Sequence, residues 1–507
     1  MIAMAPLARW RCSLGPASSA GAGAHRRRRA TELALGVLLL ASAWAVPAGA
    51  AGSADVRVVQ AARQRDVSGV VALIKQHADV NAATADGASA LHWAAHWNEP
   101  AIVDALIAAG ARIDAANEYG ATPLWLASVN GSAGVIASLL KAGANPGTPI
   151  VSGETPLMSA ARSGSVDSVK RLLGAGAAVN AAESARGQTA LMWATAERHM
   201  AVVQALLDAG AKVDMGSTSG FTALMFAARV GDLEIARLLL ERGAAINAQS
   251  ADGSTPLLVA TVRGHVALAR FLLDRKADPN ASGAGYTPLH WAVGTWETST
   301  TFDYRLTEGE WAALIGIPSR AAKLEMIAAL IAAGADVNAL TTKTPPRYGF
   351  TLFGQQQARI VGASPFFLAA IVADVEVMKL LVAAGAKPLV ADADGTTPLM
   401  VAAGRCRVDN ETHIPESAAL EATRLVLDLG ADVNGVNNMG EAALHSAALA
   451  GLESVVDLLV TRGASVNAKT KAGKTPLAMA QGTVVAMQLV VRPGTIALLR
   501  KLGGVSQ

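Results

Sequence analysis

The chain of 507 residues has few aromatic side chains, two cysteines, and no match to the short motifs of common catalytic or cofactor sites. Aromatics make up 4% although apolar residues make up 52%. Hydrophobicity therefore rests on Ala, Leu and Val, which suits thin, closely packed helices and argues against one deep globular core. Cys12 lies near the N-terminus and Cys406 has no second partner in the body of the chain, which excludes a disulfide scaffold. C-x-x-C-H, H-E-x-x-H and G-x-S-x-G are all absent, which removes the signatures of covalent haem, of a zinc protease and of a nucleophile elbow. "AKTKAGKT" (Ala468 to Thr475) lacks the leading Gly of a phosphate loop. No cofactor and no metal are expected.

What is present begins with a leader. Arg26 to Arg29 form a basic cluster, "LALGVLLLASAWAV" (Leu33 to Val46) is apolar, and "AGA" (Ala48 to Ala50) offers small residues for a signal peptidase. This pattern predicts a cleaved secretory signal over residues 1–50 and a periplasmic or secreted product, by the general secretory rather than the twin-arginine route. The alternative is a membrane anchor through uncleaved residues 33–46, a run shorter than the about 20 residues a span needs. The leader holds six Arg and one Glu, so its removal takes Lys+Arg from 43 to 37 and Asp+Glu from 40 to 39, a net charge near −2. Without a basic stripe no counterion release drives phosphate binding, so nucleic acid is excluded as a partner.

The body repeats. Ser89, Thr122, Thr155, Thr189, Thr222, Thr255 and Thr287 head "TPLH"-like tetrapeptides at steps of 32 to 34 residues, and the marks resume at Ser364, Thr397, Ala442 and Thr475. A second mark, Gly-Ala followed by Asn or Asp, recurs in "GARID" at 110, "GAAIN" at 243, "GADVN" at 334 and 430, and "GASVN" at 463. Thr before Pro supplies a cap oxygen and a preset first turn, so each tetrapeptide begins a helix. A second helix with apolar residues at i, i+3, i+4 and i+7 follows, and Gly ends it.

A helix, turn, helix and hairpin turn of about 33 residues with these marks resembles the ankyrin repeat. The likeness covers roughly residues 54–503, twelve units, with the first and last degenerate as ends of an array should be. The resemblance implies an all-α solenoid with hairpin-like turns, residues 51–504, in which short inner helices line a concave side that binds proteins. It also assigns His92, His290 and His445 to hydrogen bonds joining hairpin and helix, and His265 to a structural place in the interhelical turn.

Four insertions break the count, at about 295–318, 340–363, 405–417 and 483–494. The first two contain Trp296, Phe302, Tyr304, Trp311, Tyr348, Phe350 and Phe353, seven aromatics in a chain with nine Trp, four Tyr and eight Phe. Such a concentration points away from disorder, to a binding platform or lid, the alternative being rings that only pin the loops to the stack. On the regular repeats, register leaves Asp86, His96, Trp97, Glu118, Tyr119, Asn130, Arg162, Arg186, Phe221, Arg229, Arg263 and Tyr286 free of packing duty. Trp97 and Tyr119 are expected to adjoin as an amphipathic anchor. Trp93, Trp193 and Trp291 share one position and are expected in the core.

The function expected is a non-catalytic, monomeric scaffold binding a protein partner through these residues and Trp296, Phe302, Tyr304, Tyr348 and Phe350. The alternative is a hydrolase using Cys406 with His413 as nucleophile and base.

Overall fold

A computed structural model of the protein describes residues 55–294, 319–343, 360–407, 414–485 and 488–506. The leader, the seven insert aromatics and His413 lie outside these residues. Twenty-four helices among the described residues form twelve antiparallel pairs, from Arg57–Arg63 with Val67–Lys75 to Pro476–Gln481 with Pro493–Lys501.

Each pair is built by the marks in the sequence. Thr122, Thr155, Thr189, Thr222, Thr255, Thr287, Ser364, Thr397 and Thr475 each accept the amide of the third residue on, at 3.2–3.4 Å. Such a cap contributes about 1 kcal/mol. The outer helix, for example Leu233–Glu241, turns Ile235, Ala236 and Leu239 inward without exposure, and Gly243 at φ +88° stops it in the left-handed conformation. Burying one such Leu is worth about 2 kcal/mol. Because every repeat presents the same stripe, Leu106, Leu139, Leu172, Leu206, Leu239 and Leu272 stack into one column. One continuous core runs from Val58 to Leu499.

Hydrogen bonds join neighbouring repeats at two levels. Hairpin tips form a ladder, with Glu118 N–H donating to Asp86 O (2.9 Å), Val151 to Tyr119 O (3.0 Å) and Thr218 to Arg186 O (2.8 Å). Lower down, Asn81, Asn180, Asn280, Asn338, Asn434 and Asn467 each donate Nδ2–H to the Gly carbonyl that ends the next outer helix and accept a backbone amide just beyond it. These bonds measure 2.7–3.1 Å. Asp114 and Asp214, at the same position, accept the amide only.

The inserts leave the array at defined points. The first departs after Pro288–Val293 and returns at Arg320–Ala332, an outer helix of 13 residues where nine is usual. Its base is held by ions: Arg320 Nη2 donates to Asp374 Oδ1 (2.6 Å) and to Glu376 Oε2 (2.8 Å), and Lys323 Nζ donates to Asp374 Oδ2 (3.0 Å). The second insert is closed at a neck, where Thr341 N–H donates to Ala363 O (3.0 Å), Gly362 N–H to Thr341 O (2.7 Å) and Thr341 Oγ1–H to Ile360 O (2.6 Å). The tip ladder continues through this neck, with Thr342 N–H on Gly285 O (2.8 Å) and Ala393 N–H on Val361 O (2.9 Å).

Two insert boundaries shift. Glu416 and Ser417 already belong to the outer helix Glu416–Asp428, and Pro493 and Gly494 open the last helix. The final insert is an antiparallel ribbon, Thr483–Val485 with Gln488–Val490, pairing Thr483 with Val490.

Candidate functional site

The inner helices line one face, and in four repeats the residue before the cap touches the fourth residue after the cap. Phe221 meets Phe226 edge-on at 5.7 Å, Tyr286 stacks on Trp291 at 5.9 Å, Gln188 Oε1 accepts from Trp193 Nε1–H (2.9 Å), and Glu154 accepts from Ser159 Oγ–H (2.7 Å). Arginines from the helix ends lie over these rings. Arg63 sits 5.1 Å above Trp93, Arg162 4.8 Å above Trp193, and Arg229 4.6 Å above Phe226. In the first two cases the Arg belongs to one repeat and the ring to the next, so the contacts also join repeats. Each pair is worth about 0.5–1 kcal/mol where partly exposed.

The expected site residues are mostly half-buried and engaged rather than free. Arg162 pairs with Glu154 (3.2 Å), a carboxyl that burial pushes above its usual range while Arg162 pulls it down. Tyr286 is pushed up to about 12, first by burial and then by Asp252. Burial lowers His96. Asn130 Nδ2–H donates to His96 O (2.7 Å), and Asp86 accepts from the Thr84 hydroxyl and Ala88 N–H. Phe221, Arg229 and Arg263 are half-buried on the inner-helix face, whereas Glu118 and Arg186 are exposed at hairpin tips.

Trp97 and Tyr119 do not form the expected anchor. Trp97 caps the C-terminal end of Ala90–His96, while Tyr119 lies in the hairpin that leads into the N-terminal end of Pro123–Val129, so an inner-helix length separates their levels. Trp97 instead stacks on Trp93 at 6.4 Å and meets His96 at 4.7 Å. Trp93 and Trp291 are core residues at 5% and 7% exposure, but Trp193 is half-exposed beneath Arg162.

The histidines of the tetrapeptides hold the backbone together. His92 Nδ1 accepts from Ser89 N–H (3.1 Å), so Nε2 carries the proton that reaches Ala121 O (3.0 Å). His290 reaches Ala339 O and Ala363 O in the same way, and His445 reaches Ala468 O and Lys474 O. His265 contacts Arg229 O (3.2 Å), and His199, overlooked in the sequence, contacts Arg162 O (3.0 Å) one repeat earlier. Its signal was present: His199 precedes an outer helix by one residue, as His265 does.

Cys406 packs against the core, and burial pushes its thiol up to about 11, so it is not a thiolate at neutral pH. No group of three or more metal-ligating side chains occurs among the described residues, and no described helix is long and apolar enough to cross a membrane.

An unbroken stack of helix pairs with a lined inner face defines a repeat scaffold of the protein-interaction class. Ankyrin-repeat family models match residues 58–150, 157–250 and 224–298, and a single-repeat model matches 439–471. The chain belongs to the ankyrin-repeat family. It is 35% identical over 121 residues to ankyrin repeat and SOCS box protein 16 of Homo sapiens, a match covering 24% of each chain, so it spans about a quarter of that relative's length. It is also similar to the human ASB11 ankyrin repeat domain in its crystal structure, with 29% identity and a TM-score of 0.40 over 44% of this chain and 98% of that one.

Proposed function

We propose that the protein is an exported, non-catalytic scaffold that binds a protein partner along its inner-helix face, with residues 1–50 as a cleaved secretory leader. The observation that carries this is the row of half-buried rings and arginines on that face, Arg162 over Trp193, then Phe221, Arg229 and Tyr286. Aromatic and Arg side chains are the types that dominate binding energy at interfaces, and here they line one face in repeat register. The inserts at about 295–318 and 340–363 add Trp296, Phe302, Tyr304, Tyr348 and Phe350 to the binding residues of this reading.

The test pairs two proteins. A partner captured by crosslinking the exported protein is measured against wild type and against Trp193→Ala with Phe221→Ala. Loss of at least tenfold in affinity with unchanged helical circular dichroism supports the face, as does the same loss on deleting 295–318. Equal binding by both variants rejects it. Export is checked by the intact mass of secreted material, which should begin near Ala51; a full-length mass in the cytosolic fraction alone rejects that part.

A further inference from the structure

At the N-terminal end of the inner-helix face, three buried ring nitrogens have no hydrogen-bond partner. Trp93 is 5% exposed and its Nε1–H is buried with no acceptor. Trp97 Nε1–H and His96 Nδ1, in the same ring cluster, are buried without partners too. An indole N–H can only donate, and leaving it unpaired in the interior forfeits its hydration without return.

A cation stands over the same cluster. Arg63 lies on the Trp93 ring and, among the described residues, makes no ion pair, unlike Arg65 with Glu99, Arg162 with Glu154 and Arg405 with Glu441. The neighbouring acids are engaged: Asp86 holds its own turn and Glu99 holds Arg65. Beside the rings is a small recess lined by Ala88, His92, Trp93, His96, Asn117 and Leu126.

We propose that this cluster is a carboxylate-binding subsite for an acidic side chain on an extended segment of the protein partner. Arg63 supplies the charge, the indole N–H groups of Trp93 and Trp97 supply the hydrogen bonds, and Ala88 and Leu126 supply an apolar wall. A guanidinium flat on a ring keeps its edge N–H groups in one plane, the geometry a carboxylate takes. Trp97 and Arg63 are half-buried and lie against the Trp93 ring, so seating the carboxylate draws them apart. The proposal rests on the inner-helix face being the binding surface and specifies what one end of it takes.

The experiment follows the indole N–H signals of the full, 15N-labelled chain during titration with an acetylated, amidated pentapeptide, Ala-Leu-Glu-Leu-Ala, and with its Gln counterpart. The Glu peptide should move two indole signals downfield saturably in the millimolar range, with the Gln peptide at least tenfold weaker. Trp93→Phe, which keeps the ring and removes the donor, should delete one moving signal. Arg63→Gln should weaken the Glu peptide at least tenfold with unchanged circular dichroism, and it remains informative if Trp93→Phe fails to fold. Equal shifts from both peptides, no saturable shift, or full affinity in Arg63→Gln overturns the proposal. Saturation by acetate at the same concentration would show a simple anion site and overturn the acidic segment. Loss of the captured partner in the Trp193→Ala, Phe221→Ala protein alone, with Arg63→Gln binding it fully, would leave the scaffold reading intact while rejecting this subsite.

Discussion

Asp374 shows how much one side chain can hold. At 7% side-chain exposure it serves Arg320 and Lys323, and it also caps Val375–Ala383 through Val377 N–H (3.2 Å). Burial alone would raise its carboxyl, but the hydrogen bond from Arg320 and the charge of Lys323 hold it near 2. Unfolded, it titrates near 3.9. Its folded pKa is the lower one, so its contribution is complete above about pH 4 and disappears as pH falls toward 2, with a size of about 2 kcal/mol. Thermal melts of wild type should therefore lose stability in that window, and Asp374→Asn should flatten the loss. His290, held near 4 by burial, works in the same direction at higher pH: its neutral form is favoured in the fold, and that contribution fades as pH falls from about 6.5 toward 4. The roles of His92 and His290 were legible because the tetrapeptide fixes their register. The role of Asp374 was not, because its cation Arg320 lies 54 positions away across an insert. Arg63 was passed over for a different reason: Val56 stands where later repeats place Thr, so the first unit lacks its phase mark.

Among elements, the interhelical turns carry the clearest prediction. Gly131, Gly164, Gly231, Gly264 and Gly451 occupy the left-handed position there, whereas the ninth repeat places Ala373 at φ +52°. A Cβ in that region costs about 1–2 kcal/mol, so Ala373→Gly, net of the chain freedom that Gly adds to the unfolded state, should raise stability by about 1 kcal/mol in denaturant titration. The Asn clamps give a second test. Asn338→Asp keeps the acceptor for Lys387 N–H (2.7 Å) and removes the donor to Gly385 O (3.1 Å), making the half-clamp already present at Asp114 and Asp214. A loss of about 1 kcal/mol is expected. Inner and outer helices were legible through caps and apolar stripes, since both are local. The ribbon at 483–490 was not: "TVVAMQLVV" is rich in β-branched residues, but its turn has no Asn-Gly or Asp-Gly to announce a hairpin. The inner-face contacts were half legible. Register told which positions face inward, but whether Arg162 reaches solvent or Trp193 depends on the neighbouring repeat, which periodicity alone does not describe.

For the whole molecule, a linear array with one core couples each repeat only to its neighbours. The eighth and ninth repeats meet where inserts have lengthened both the outer helix and the following turn, and the Arg320, Lys323 and Asp374 cluster spans that junction. Asp374→Ala removes the carboxylate from Lys323, itself 8% exposed, which costs about 3 kcal/mol for a buried pair. Calorimetry should then resolve two transitions, one for each side of the junction, where wild type shows a more cooperative one. Small-angle scattering of the protein should give an elongated, curved particle, and a compact sphere would contradict the array.

The neck at Thr341 has a practical outcome. Because the chain is pinned there as it leaves and as it re-enters, whatever is spliced between positions 343 and 360 inherits a fixed pair of anchor points on an otherwise unaltered frame. That stretch is a natural socket for exchanging peptides, and a foreign epitope placed in it would be displayed without disturbing the helices on either side.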